Sequence, residues 1–132
     1  MRILVTGRGA AASWTVRGEQ IGRELRATVK PHATLADMRA HNVILVIKRV
    51  PDDMLRALHQ SGRPWVYDIV DAYPQRMTDE PWTKSQAMRW LRDWLGLLRP
   101  TSVIWPTRQM QIDGGGIGHV VYHHARPGIE SN

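Results

Sequence analysis

Val43-Ile44-Leu45-Val46-Ile47 is a run of five β-branched or aliphatic residues, followed by Lys48-Arg49-Val50-Pro51-Asp52-Asp53. An unbroken apolar run of this kind is the pattern of a strand covered on both faces, as in parallel sheets sandwiched between helices. Pro51 then opens a helix, with Asp52 and Asp53 in the first turn, where a preset φ and negative charge are both favourable. Met54, Leu55 and Leu58 supply its core face and Gly62 ends it. Pro64 to Asp71 (Pro64-Trp65-Val66-Tyr67-Asp68-Ile69-Val70-Asp71) reads as the next strand.

The same alternation extends in both directions. Upstream, Arg2-Ile3-Leu4-Val5-Thr6 is a buried strand stopped by the tight turn Gly7-Arg8-Gly9. A helix is expected from about Thr15 to Arg26, with Val16, Ile21 and Leu25 as its apolar stripe. Ala27 to Lys30 is a weaker strand closed by Pro31, and Thr34 caps a short helix through Ala40 that turns Leu35 and Met38 inward. Downstream, Asp79-Glu80-Pro81 opens the longest helix, about Trp82 to Leu98. Its stripe of Trp82, Ala87, Trp90, Leu91, Trp94, Leu95 and Leu98 is read as a helix anchoring its large face on a sheet, in preference to a ligand platform. Thr101 to Trp105 is a strand stopped by Pro106, Gly114-Gly115-Gly116 a flexible turn, and His119 to His123 the last strand. Strand and helix alternating in this way predict βαβ units in one α/β domain. Its expected form is a three-layer Rossmann-like fold over residues 1–126, with a mainly parallel, doubly wound sheet of about six strands. Residues 127–132 are expected to be a flexible tail or the start of an interdomain linker.

Composition limits the chemistry. The 132 residues suffice for one domain with a real core. The absence of cysteine excludes disulfides, thiolate metal sites and thiol catalysis. No window approaches the roughly 18 apolar residues of a membrane span, and no secretory signal is expected where Met1-Arg2 runs straight into the first strand. A reducing cytoplasm is the expected setting. The net charge of +6 raises a nucleic-acid reading. However, the Lys and Arg residues stand mostly alone, with no aromatic-basic interleaving, so an attraction to anionic ligands such as phosphates fits better and nucleic acid is not the expected partner.

In doubly wound sheets, ligands bind beyond the carboxyl ends of the strands. Those ends are Gly7-Arg8-Gly9, Lys48-Arg49, Asp68 to Asp71 with Tyr73, Thr107-Arg108 and His123-His124. Gly7 to Ala12 fits a G-x-G-x-x-A loop that would aim a helix N-terminus at a pyrophosphate. The acidic ribose partner expected about twenty residues on is missing, and Lys30 and His32 occupy that region. Asp68 and Asp71 are carboxylates suited to accepting sugar hydroxyls, holding a metal or acting as a base; Asp71 as a loop cap is an equal alternative. His119 and His123 share a strand face, but the run offers no carboxylate, and no metal is expected. No nucleophile elbow or phosphate-binding Walker loop is present.

Taken together, Arg2 to Gly9, Val43 to Arg49, Trp65 to Asp71, and Val103 to Met110 followed by Val121 to His124 resemble the N-terminal Rossmann-like half of GT-B glycosyltransferases. The resemblance implies sugar transfer from a nucleotide-sugar donor to a hydroxyl acceptor, between two facing Rossmann-like domains and without a further cofactor. It implies that Gly7, Arg8, Gly9 and Arg108 lie near the donor phosphates. Lys48, Asp68, Asp71, Tyr73, Thr107, His123 and His124 would line the acceptor side. The donor-gripping half would come from a second α/β domain or chain, or a homo-oligomer would complete the cleft. A non-catalytic nucleotide- or sugar-binding module, or one subunit of a split enzyme, is the alternative. An NADP-dependent reductase is the third choice, and no tyrosine here has a lysine four residues on.

Overall fold

The apolar runs pair side by side. In the computed structural model, which describes residues 1–9, 14–71, 73 and 80–121, the strands are β1 (Ile3–Gly7), β2 (Thr28–Val29), β3 (Val43–Ile47), β4 (Trp65–Asp68), β5 (Ser102–Trp105) and β6 (His119–Val120). They form one sheet in the order β2-β1-β3-β4-β5-β6. Every pairing is parallel; Ile3 lies opposite Val43 and Gly7 opposite Ile47. The α/β three-layer architecture expected from the sequence is therefore present, with all six described strands parallel.

The connecting helices are α1 (Gln20–Glu24), α2 (Leu35–Arg39), α3 (Asp52–Ser61), α4 (Lys84–Leu98) and α5 (Arg108–Asp113). Because side chains alternate along a strand, β1 and β3 feed two cores. Leu4, Ile44 and Val46 pack with Met38 of α2, Met54 and Leu58 of α3, Leu91 and Leu98 of α4, and Met110 of α5. Val5, Leu45 and Ile47 pack on the other face with Trp14 and, less deeply, Ile21.

Local signals place most of the boundaries. Thr34 caps α2 through a reciprocal box: its hydroxyl accepts from the Asp37 N–H while the Asp37 carboxylate accepts from the Thr34 N–H. Bonds from Lys30 and Thr34 hold that carboxyl down at about 2. Gly62 closes α3 at φ 67° in the left-handed region.

Four expectations need correction. The helix expected from about Thr15 to Arg26 is a π-helical segment, Trp14–Glu19, running into the single turn of α1. Its inward face is Trp14, Arg17, Gly18 and Gly22, and Leu25 of the expected stripe is exposed. A Cβ on Gly22 would collide with Val29, so glycine lets this segment lie close to the sheet. α4 starts at Lys84, not Trp82, because Thr83 and Gln86 form a second capping box. α5 has no counterpart in the sequence reading; Thr107 caps it by accepting from the Met110 N–H. β4 stops at Asp68, short of the expected Asp71. The last strand is seen as His119–Val120; its expected continuation to His123, and the tail, lie outside the described residues.

Candidate functional site

From β1 the chain moves outward to β2 and then returns across β1 to β3, so the direction of winding reverses between β1 and β3. Sheets of this kind open a crevice beyond the strand carboxyl ends at that reversal. A cleft of about 780 Å³ lies there, bounded by the ends of β1, β3 and β4 and by α4.

One wall is basic. Arg8, Lys48 and Arg49 line it, and Asp71 is the one carboxylate among the described lining residues. The loop carrying Arg8 crosses close over β3. A Cβ on Gly7 would sit 2.9 Å from the Ile47 carbonyl oxygen, and Gly9 turns at φ 77°. Lys48 Nζ lies 2.6 Å from an Asp71 carboxylate oxygen. The only other ion pairs among the described residues are Arg17–Asp68 and Lys30–Asp37, so Arg8 and Arg49 face the cleft without a carboxylate partner.

The ends of β3 and β4 are bent in the same rare way. The Arg49 N–H donates to the Ile47 carbonyl at 2.7 Å across Lys48 at φ 58°, and the Asp71 N–H donates to the Ile69 carbonyl at 2.8 Å across Val70 at φ 70°. An i to i+2 bond over a positive-φ residue is the classic γ-turn, which is strained without glycine, and most of all for a β-branched residue. Such strain persists only where the surroundings over-determine it. Here the Lys48 N–H donates to the Asp68 carbonyl, the Tyr67 hydroxyl donates to the Lys48 carbonyl at 2.7 Å, and the Val70 N–H donates to the Asp68 carboxylate at 3.2 Å. The two turns set Lys48 and Asp71 against each other on the cleft rim.

A consequence can be measured. Lys48→Gly removes left-handed strain of about 1–2 kcal/mol and forfeits an exposed ion pair of about 0–1 kcal/mol together with some chain entropy. Denaturant unfolding should show stability unchanged or raised by up to about 1 kcal/mol. A loss of more than about 1 kcal/mol would mean the turn stores no strain.

The other wall is aromatic. Trp82, Trp90 and Trp94 line the cleft together with Leu91 and Tyr67. Trp90 lies 5.7 Å from Trp82 and 5.8 Å from Trp94 between ring centroids, nearly parallel to the latter at 16°. The expected burial of this stripe on the sheet therefore holds for Ala87, Leu91 and Leu98, whereas Trp90 is 42% exposed and the indoles form a ladder along the cleft. Beneath them, burial pushes the Tyr67 phenol up to about 12, with a hydrogen bond from Trp94 pulling the other way. Near neutral pH Tyr67 is thus a hydroxyl donor and not a base.

Of the residues the sequence singled out, Arg8, Lys48 and Asp71 meet in this cleft, with Gly7 and Gly9 shaping its edge. Asp68 faces away. It is fully buried on the opposite side of the sheet, where Arg17 Nε and a terminal guanidinium nitrogen bond its two oxygens at 3.1 and 3.2 Å. Tyr73, Thr107 and Arg108 are not among the cleft's lining residues. The Tyr73 ring has Lys84 Nζ 5.0 Å from its centroid, the Thr107 hydroxyl is engaged as the α5 cap, and Arg108 is exposed at the start of α5. His123 and His124 lie outside the described residues. Among the described residues no cluster of three or more His, Asp or Glu is placed to hold a metal ion, and no helix is long and apolar enough to cross a membrane.

No protein-family model matches the chain, and no curated protein or solved structure matches it either.

Proposed function

We propose that this chain is the acceptor-side, N-terminal half of a GT-B glycosyltransferase, which moves a sugar from a nucleotide-sugar donor to a hydroxyl acceptor. The observation that supports this most is the cleft at the reversal point, with a tryptophan wall facing a basic one. The negative face of an indole suits the polarised C–H face of a sugar ring, and the ladder offers such surface along α4. Lys48 and Asp71 supply a donor and an acceptor for sugar hydroxyls. Arg8, on the glycine-flanked loop after β1, is suited to the leaving diphosphate, whose developing charge a fixed guanidinium stabilises. The chemistry asked of this half is positioning and charge stabilisation, with the donor's nucleotide gripped by a second α/β domain or chain.

One observation favours the binding-module alternative. Asp71, the carboxylate at the described cleft, is tied to Lys48, and Asp68 is tied to Arg17, so neither stands ready as a base.

A thermal-shift panel of UDP-, GDP- and ADP-sugars, neutral oligosaccharides and NADPH, run on the full chain and on Trp90→Ala, tests the reading. Sugars or nucleotide-sugars should raise the melting temperature of the parent, since a ligand that binds only the folded state stabilises it. Trp90→Ala should lose that shift. A response to NADPH alone, or a sugar response that survives in Trp90→Ala, would sink the proposal.

A further inference from the structure

We infer that the sugar taken by this cleft is an acidic one, a glycan bearing a carboxylate or phosphate, with Arg49 as the residue that reads the charge. The inference rests on the sugar-binding reading above and deepens it.

The argument begins with charge. Three cations and one carboxylate line the described cleft, and the carboxylate is matched by Lys48 at 2.6 Å. Arg8 and Arg49 remain uncompensated among the described residues. A neutral sugar would leave both guanidiniums with water or weak hydroxyl partners. Even if Arg8 serves the donor phosphates, Arg49 still stands over the acceptor side. Arg49 and Tyr67 line the same cleft, so the guanidinium belongs to the cleft wall. A guanidinium is a planar fork that holds a carboxylate or phosphate with two parallel bonds, and such charge-assisted bonds are roughly twice as strong as neutral ones.

The backbone supports the same assignment. Arg49 follows the strained turn at Lys48, and that turn is held by the Lys48 N–H and the Lys48 carbonyl together. The site therefore holds the root of the Arg49 side chain rather than leaving it on a loose loop.

The aromatic wall favours a saturated ring over a nucleobase. Trp90 is engaged with indoles at 5.7 and 5.8 Å, so the ladder presents joined apolar surface instead of two separated rings open to sandwich a base. An acidic sugar uses both walls at once, its ring on the tryptophans and its anion on Arg49.

The test titrates tryptophan fluorescence of the full chain with trigalacturonate, its methyl ester, maltotriose, maltotriose phosphorylated at a 6-hydroxyl, and UMP. The acidic form of at least one pair should bind about tenfold more tightly than its neutral counterpart, as expected for one charge-assisted contact. The pair that shows the difference identifies carboxylate or phosphate as the anion. Arg49→Gln, at an exposed position, should bring acidic and neutral forms within about twofold while still binding both, and added salt should act the same way. Equal binding of acidic and neutral sugars by the parent chain would overturn the acidic assignment and leave the sugar reading standing. Preference for UMP, or discrimination that survives in Arg49→Gln, would also overturn it. If no sugar binds at any charge, both readings fall.

Discussion

Arg17→Met is expected to lower the unfolding free energy by about 3–5 kcal/mol, the cost of breaking a buried ion pair by removing its cation. Asp68 is fully buried and the Arg17 side chain is 6% exposed, so water cannot replace the lost guanidinium. Two hydrogen bonds between these side chains, at 3.1 and 3.2 Å, join the π-helical segment to the end of β4 across 51 positions of sequence. A denaturation midpoint that falls with an unchanged slope would be the signature of lost stability without a change in compactness. The companion variant Arg17→Met/Asp68→Leu removes both charges and should recover part of the loss, since well-packed apolar pairs often match buried ion pairs. Recovery stays partial because the Val70 N–H loses its acceptor. A single variant as stable as the parent would show that the pair contributes nothing to the fold. The prediction also bears on the cleft. The Asp68 carboxylate holds the turn at Val70 and its carbonyl receives the Lys48 N–H, so loosening Asp68 should disorder Lys48 and Asp71 on the other face of the sheet.

Trp105→Ala should cost a similar amount, about 3–5 kcal/mol, or roughly 10–20 °C of melting temperature for a chain of this size. The ring is 1% exposed and its indole N–H donates to the Ile117 carbonyl at 2.6 Å. The neighbouring glycines explain why the loss would be large. A Cβ on Gly114 or Gly118 would strike the Trp105 ring or the Val103 backbone, so the chain between α5 and β6 is wrapped directly onto this indole. Truncation therefore opens a cavity and releases the segment that carries β6 into the sheet. Thermal unfolding followed by circular dichroism measures the effect. A shift of only a few degrees would mean that the segment collapses into the space or never depended on the ring.

Much of the architecture was legible because it depends on near neighbours. The apolar run Val43–Ile47 marks an internal parallel strand with the same bounds the fold gives it, since burial on both faces demands an uninterrupted apolar run. The Thr34 cap and the Gly62 stop were equally local, one a side chain reaching its own helix and the other a residue adopting φ 67°. The rule that ligands gather at strand carboxyl ends also led to Arg8, Lys48 and Asp71, which do meet.

The rest was illegible for reasons of distance and of facing. Asp68 and Tyr67 are adjacent, and alternation along β4 sends one to each side of the sheet. Tyr67 enters the cleft, while Asp68 meets an arginine that nothing in the local sequence marks as its partner. The tryptophan spacing fits a buried stripe and a cleft wall equally well, because periodicity shows which residues share a face but not what that face meets. The turns at Lys48 and Val70 carry no glycine to announce them; long-range hydrogen bonds impose a conformation that local preference opposes. Sequence alone thus determined the strands and their mainly parallel arrangement, and it pointed to the edge where the cleft opens, since burial pattern and capping are written in neighbouring residues. Only the tertiary structure decided which polar groups at that edge face each other, because that depends on contacts between residues far apart in the chain.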